Sequence, residues 1–478
     1  MSVSQGQGHR RIVVISLVAA LGGFLFGYDT AVINGAVTAI REQFDASSGA
    51  LGFAVSSALL GSAVGAWYAG PLADRISRVR AMRLAAVLFL VSSLGSGLAD
   101  SLGVLIVWRI VGGVGVGVAS VVVPAYIAEL APAHLRGRLG SLQQLAIVTG
   151  IFLALLANFA IAEAAGGASQ TWWLDQEAWR WMFWSEAIPA VVYGIGTLVI
   201  PRSPRFLVMK GEDAEAERVL ASLGTEAPAA KVADIRATIA TAAPRLSDLR
   251  APRGGLLPIV WVGIGLSALQ QLVGINVIFY YSSTLWQSVG FSESDSLLIT
   301  VITSVINVLT TLVAIATVDR FGRKPLLLIG SVGMTVALGT MALVFGVSGT
   351  APDGSPDLGT VGGPVALVAA NLFVIFFGMS WGPVVWVLLG EMFPNRIRAI
   401  ALSVAVAVQW VTNFAVSTTF PPLADVGLFL AYGIYAAFSF ISIFFVARLV
   451  RETKGVELED MDDGSGLHGG AEAAPATG

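Results

Sequence analysis

Asp319-Arg320-Phe321-Gly322-Arg323-Lys324 follows the eighth of the chain's long apolar runs, and Asp74-Arg75 stands in the same setting after the second. After the fourth run come Glu129, Pro132 and Arg136; after the tenth come Glu391, Pro394 and Arg398, with the same spacing. Pro204-Arg205 after the sixth run has a looser counterpart in Arg451-Glu452-Thr453-Lys454-Gly455 after the twelfth. Motifs that recur about 250 residues apart mean that a six-run unit occurs twice. Repeated units of this kind, with a ligand site near the bilayer midplane where they meet, are the pattern of secondary transporters.

The runs are long enough to be membrane spans. A bilayer-spanning helix needs about 20 mostly apolar residues, and twelve segments qualify: 12–35, 50–71, 82–99, 103–126, 139–162, 181–200, 256–282, 296–318, 325–347, 363–388, 399–421 and 426–448. Of the 478 residues, 55% are hydrophobic and 12% charged, against about 45–50% and 25% in soluble domains. The expected fold is therefore an all-α membrane protein of twelve transmembrane helices in two six-helix halves. Its parts are a cytoplasmic N-terminus (1–11), a first half (12–200), a cytoplasmic linker (201–255), a second half (256–450) and a largely disordered cytoplasmic tail (451–478). Short surface helices, such as one over Gly211–Leu223, are expected in the linker. Arg10-Arg11 ahead of an apolar run could mimic a secretory signal, but the run continues through Phe24 to Asn34 without a convincing cleavage site.

Twelve spans put both termini on one side. Lys and Arg in short loops face the cytoplasm, and placing both termini there accounts for all but Arg41, Arg109 and Arg180. A multi-pass cell-membrane protein with both termini cytoplasmic is the expected localisation. The 28 basic and 31 acidic residues leave a formal charge of -3, which argues for no nucleic-acid partner. Without cysteine, disulfides, thiolate metal sites and thiol chemistry are excluded. His9, His134 and His468 lie outside the spans, so a proton carried within the membrane needs a carboxylate.

Apart from Arg83 and Arg448 at the very ends of spans three and twelve, only three charges fall inside the spans: Asp29, Arg109 and Glu186. A charge at a helix centre costs about 2.5–3.5 kcal/mol or more and is a functional hypothesis with a partner to be named. Asp29 and Arg109 are the natural pair. If they separate, burial favours the protonated acid, and the carboxyl carries one proton per cycle; a permanent salt bridge between spans one and four is the structural alternative. Glu186, within the first two turns of span six, is either interfacial or a second relay group. The second half carries amides and aromatics instead: Gln270, Gln271, Asn276, Tyr280, Asn307, Trp386, Gln409 and Trp410, joined by Gln144 from the first half. Amides donate and accept and indoles offer flat apolar faces, which suits a neutral polyhydroxyl ligand. At 100° per residue, Gln270 and Gln271 share no regular helix face with Asn276 and Tyr280, so a discontinuity is expected near Gly274-Ile275-Asn276. Each amide could instead simply glue helices together. The Gly112-Gly113-Val114-Gly115-Val116-Gly117 run lacks the lysine and strand of a phosphate loop and reads as close helix packing.

The paired loop motifs, Asp74, Arg75, Glu129, Arg136, Asp319, Arg320, Arg323, Glu391 and Arg398, could merely set topology. Their spacing favours cytoplasmic ion-pair networks that hold the halves together in one conformation and separate in the other.

Gly27-Tyr28-Asp29-Thr30, Arg109 before Gly112-Gly113, Pro124-Ala125-Tyr126-Ile127-Ala128-Glu129, Gln270-Gln271 through Asn276, and Asp319 through Lys324 together resemble the sugar porter family of the major facilitator superfamily. The resemblance spans about residues 12–460 and holds especially for bacterial glucose or xylose proton symporters and animal facilitative glucose transporters. It implies the major facilitator fold and alternating access, with Asp29 as proton acceptor, Arg109 as its partner and Glu186 in the coupling network. It places sugar contacts on Gln144, Gln270, Gln271, Asn276, Asn307, Trp386, Gln409 and Trp410, with Phe26, Gly382 and Tyr280 around them. Facilitative relatives typically have a neutral residue at the aspartate position, so Asp29 favours symport. The departures are on the cytoplasmic side: no glycine in Asp74-Arg75-Ile76-Ser77-Arg78, Arg202 where the family usually has Glu, and Arg451 where it has Pro.

The reading is a proton-coupled monosaccharide importer, glucose before others, that is not an enzyme, works as a monomer and needs no cofactor besides the proton. The alternatives are a uniporter, a carrier of xylose, galactose or a polyol, and a transporter-like nutrient sensor, against which the short tail after Val456 argues.

Overall fold

The computed structural model describes residues 3–131, 136–240, 246–251, 254–350, 356–394 and 397–454. Twelve helical segments in it are long and apolar enough to cross a bilayer. Spans one to five are single helices, Val3–Gln43, Ser48–Ile76, Arg78–Gly97, Leu102–Leu130 and Arg136–Ala165, and span six is a pair, Ala178–Ser185 and Ala187–Val199. Span seven is also split, into Pro258–Leu272 and Ile275–Ser288; span eight is Glu293–Phe321 and span nine Arg323–Val347. Span ten divides into Gly359–Gly378 and Trp381–Met392, followed by span eleven, Arg398–Val426, and span twelve, Leu428–Leu449. The described residues begin, at Val3, and end, at Lys454, on one face, the terminus face; the opposite one is the far face.

Serines set where spans two, four and eight begin on the far face. The side chains of Ser47, Ser101 and Ser292 accept the backbone N–H of Ala50, Val104 and Asp295, satisfying donors that the first helical turn leaves free. On the terminus face the repeat shows in backbone geometry. Ser77, between spans two and three, has φ 92 and ψ 154, and Gly322, between eight and nine, has φ 91 and ψ 165. The same sharp turn is thus made by a glycine in one half and by a serine in the other.

The halves pack alike and against each other. Span one lies along five as seven lies along eleven, and three along six as nine along twelve; across the halves two packs on eleven and five on eight. The cross-half contacts sit toward the far face. Asn34 Nδ2 donates to Phe279 O at 3.1 Å, Ser283 Oγ to Asn34 O at 2.6 Å, and the hydroxyls of Ser56 and Thr418 are 2.6 Å apart. Glu293 Oε1 accepts Ala168 N–H at 2.8 Å, and Ser294 Oγ donates to Glu163 Oε2 at 2.8 Å.

Between the sixth and seventh spans, helices Pro204–Met209, Asp213–Ser222 and Pro228–Ala240 form a small bundle around Leu207, Val208, Ala216, Leu220 and Val232. The anticipated surface helix is the middle one. Arg202 binds Glu212 Oε2 at 2.7 Å and Glu215 Oε2 at 3.1 Å, so the arginine ties the end of span six to this bundle. Arg451 to Lys454 pack back onto the terminus face; residues 455–478 lie outside the described residues.

Candidate functional site

The site is built on three broken spans. In span seven the first helix stops at Leu272, and Gly274 turns into the left-handed region, φ 81 and ψ 20, before the second starts at Ile275. Glycine adopts that conformation freely, whereas other residues lose roughly 1–2 kcal/mol; a Cβ there would also lie 2.6 Å from the Tyr435 ring. The discontinuity falls where the amide positions required it, and it turns Asn276 back toward Gln271.

The result is a ladder of amides. Asn276 Nδ2 donates to Gln271 Oε1 at 2.6 Å, Gln271 Nε2 to Gln270 Oε1 at 3.4 Å, and Gln270 Nε2 to Trp381 O at 2.8 Å and Gly382 O at 3.3 Å. Gln270 and Gln271 are buried and Asn276 is half-buried. The ladder ends on the break in span ten, where Ser380 has φ -136 and ψ -90. Trp381 fastens that break to span nine, its Nε1 donating to Leu327 O at 3.1 Å and Ser331 Oγ at 3.0 Å. Trp381 was not singled out in the sequence, because a tryptophan in an apolar span carries no mark of this role.

The remaining expected contacts are set around the ladder with less direct linkage. Phe26 of the first half meets Trp410 of the second, ring centroids 5.5 Å apart. Asn307 Oδ1 lies 3.3 Å from where a Cβ on Gly378 would be, two residues before the break. Tyr280 is buried beside Asn413, another residue that the sequence reading missed. Gln144, Trp386 and Gln409 are half-buried and make no hydrogen bond to the ladder. Gln409 Oε1, Trp410 Nε1 and Gln143 Oε1 are buried without a partner among the described residues. Unpaired buried polar atoms cost about 1–3 kcal/mol each and call for an explanation; facing a ligand supplies one. Gln143, packed against Gly23 of span one, joins the candidates.

The three membrane charges converge. Arg109 Nη1 lies 3.3 Å from Asp29 Oδ1 and donates to Asp29 O at 2.8 Å, with both side chains almost fully buried. Gly112 makes room for the pair, since a Cβ there would stand 2.4 Å from Ser92 Oγ and 3.0 Å from Asp29 Oδ1. Asp29 Oδ2 and Arg109 Nε have no partner among the described residues. Glu186 occupies the break in span six and is 1% exposed, within electrostatic reach of both Asp29 and Arg109. Tyr28 links span one to the same break through a 2.7 Å hydrogen bond with Ser185 Oγ.

On the terminus face the named ion pairs stay within their own halves. Arg78 bridges Asp74 at 2.7 Å and Glu129 at 3.0 Å, so Arg78, rather than Arg75, joins these carboxylates. In the second half Arg323 binds Glu391 at 2.8 Å, and Thr453 Oγ1 donates to the same carboxylate at 2.6 Å. Glu452 accepts the backbone N–H groups of Arg323, Lys324, Thr453 and Lys454. Burial by itself would raise the Glu452 pKa, but these donors outweigh it and hold the carboxyl below its usual range. Lys454 Nζ donates to Arg320 O, and Arg398 Nε to Phe393 O. The side chains of Arg136 and Asp319 lie outside the described residues.

A family model described as "Sugar (and other) transporter" matches residues 15–464. The chain is 62% identical to a glucose transport protein of Synechocystis sp., covering 94% of this chain and 97% of that one, and 39% identical to the D-xylose-proton symporter of Escherichia coli K12, covering 94% and 95%. Among solved structures, the xylose transporter XylE from E. coli in an inward open conformation superposes with a TM-score of 0.79 at 38% identity, covering 94% of this chain and 99% of that chain. The twelve-span fold, the repeated halves and the match over nearly the whole chain agree, and the protein belongs to the sugar transporter family.

Proposed function

We propose that the chain imports a monosaccharide, D-glucose foremost, together with protons by alternating access. It is a carrier and not an enzyme. The terminus face is cytoplasmic in this reading, and closure of the halves at the far face makes the conformation inward-facing. The sugar lies where the amide ladder ends at Asn276, with Phe26 and Trp410 offering ring faces from opposite halves. The proton rides on Asp29.

The observation that carries the coupling is the buried Asp29–Arg109 pair with Asp29 Oδ2 left unpartnered. Because Arg109 Nη1 also holds the Asp29 backbone carbonyl, the guanidinium keeps one hydrogen bond when the carboxyl is neutral. Protonation therefore loosens the side-chain contact without freeing the arginine. Glu186 shares the same field and acts in the coupling network. The 62% identity to a glucose transport protein supports glucose, and the 39% identity to a xylose-proton symporter supports protons as the coupling ion and keeps xylose as the second substrate.

The test is labelled D-glucose uptake into proteoliposomes, with and without an inward proton gradient, for wild type and Asp29→Asn. Gradient-driven accumulation that is lost in the variant while exchange persists is expected. Accumulation by Asp29→Asn equal to wild type refutes coupling through this residue; equilibration indifferent to the gradient makes the protein a uniporter.

A further inference from the structure

The segment between spans five and six holds a rigid aromatic platform that sugar and proton handling leave unused. Trp173 stacks on Trp181 with ring centroids 4.9 Å apart, Trp172 meets Trp181 edge-on at 6.0 Å, and Trp181 meets Trp184 edge-on at 4.8 Å. Yet Trp173 is 61% exposed and Leu174 68%. The loop is held in place from beneath. Trp172 N–H donates to Gln176 O at 2.8 Å and Ala178 N–H to Gln170 O at 2.9 Å. Arg180 binds Glu177 at 2.6 Å and donates to Gly97 O and Ala99 O of the neighbouring turn. Leu174 and Asp175 both have φ 54, a left-handed conformation that costs a non-glycine residue free energy. Structure invested in presenting apolar rings, instead of burying them, marks an interaction surface.

What covers this surface follows from the helix beneath it. Along span six Ile188, Val191, Val192, Ile195, Leu198 and Val199 form an exposed stripe at helical spacing, the face the protein turns to lipid. Trp184 and Trp181 continue that spacing toward the far face. Trp184 Nε1 donates to Leu94 O at 3.2 Å, beside exposed Leu94 and Leu98 of span three. Trp181 Nε1 donates to Trp173 O at 3.0 Å, which places Trp173 at the upper edge of the same lipid-facing strip. The indole N–H groups of Trp172 and Trp173 have no protein acceptor among the described residues, and so are available to ester or phosphate oxygens. Indoles of this kind, apolar in body with one polar edge, settle at the headgroup level of bilayers.

We propose that Trp172, Trp173 and Leu174 form a wedge that inserts into the headgroup region of the far-face leaflet and anchors the first half of the transporter to the lipid interface. The charges between Thr171 and Ala178 are Asp175 and Glu177, both acidic. Attachment is thus by apolar insertion, independent of anionic lipid, in contrast to the basic segments that depend on it.

The chain has no cysteine, so Leu174→Cys introduces a unique label site. The variant is tagged with a polarity-sensitive fluorophore and reconstituted in neutral phosphatidylcholine, in the same lipid brominated near the headgroup end of its acyl chains, and in lipid containing phosphatidylglycerol. Ile188→Cys serves as the lipid-facing reference and Ala214→Cys, on the linker bundle, as the aqueous one. Expected at position 174 are blue-shifted emission and loss of intensity in brominated lipid, unchanged by salt or by phosphatidylglycerol. Emission matching the Ala214 site, without quenching, overturns the proposal, as does a blue shift seen only in lipid containing phosphatidylglycerol. If Leu174→Cys does not yield a monodisperse protein, Trp173→Cys is read by the same criteria.

Discussion

Asn276→Ala tests the ligand site most directly. The change removes the donor to Gln271 Oε1, at 2.6 Å, and leaves that oxygen on a side chain only 6% exposed. A buried acceptor deprived of its partner costs about 1–3 kcal/mol, and the contact that the asparagine itself offers the sugar is lost as well. If that cost falls on the bound state, affinity drops roughly five- to 150-fold. Ligand-dependent tryptophan emission reads the effect without transport, because Trp386 and Trp410 lie in the expected site; isothermal titration gives the same constant independently. Span seven remains intact, since Gly274 and not Asn276 makes the turn, so a monodisperse variant with a wild-type melting profile is expected. Affinity for D-glucose within twofold of wild type in such a variant would refute the assignment of the ladder to the sugar.

Two further changes probe the terminus face. Ser77→Gly relieves a conformation close to one that only glycine adopts easily, worth about 1–3 kcal/mol, against a few tenths for the lost cap to Arg80 N–H; a higher melting temperature is expected, and a lower one shows that Ser77 is not strained. Glu452→Gln weakens the four-donor contact at the start of span nine. Because the folded-state pKa of Glu452 is depressed, its contribution is present above the ordinary value of 4.5 and disappears as pH falls through the lowered one. The melting-temperature deficit of the variant at pH 7 should therefore shrink in acid; a deficit independent of pH rules out the carboxylate as its source.

Much of the architecture was legible because the membrane imposes its demands residue by residue. Twelve apolar runs, three charges deep within them and a conflict of helical angles around Gly274 each follow from one-dimensional spacing. The breaks at Glu186 and Ser380 were not, since neither position carries a glycine or a clash of polar faces to betray it. Arg78 was passed over for Arg75 for a similar reason: adjacency to Asp74 suggested a pair, while the helical turn beyond Ser77 swings the later arginine under both Asp74 and Glu129. Arg202 stood out as a departure, and only the folded linker bundle shows two glutamates ready to receive it.

The amide ladder also has a direction. The carbonyls of Trp381 and Gly382 can only accept, so Gln270 must offer them its NH2 group, and its oxygen must then accept from Gln271, whose oxygen accepts from Asn276. The orientation of every amide is dictated from the helix break outward. The carbonyl oxygen of Asn276 is left at the open end, and in the proposed sugar site it requires a hydroxyl that gives up its hydrogen. A sugar whose hydroxyl at this point is replaced by fluorine, which accepts but cannot donate, keeps its shape and loses its fit, and the choice is made at a backbone carbonyl that the sugar itself need not touch.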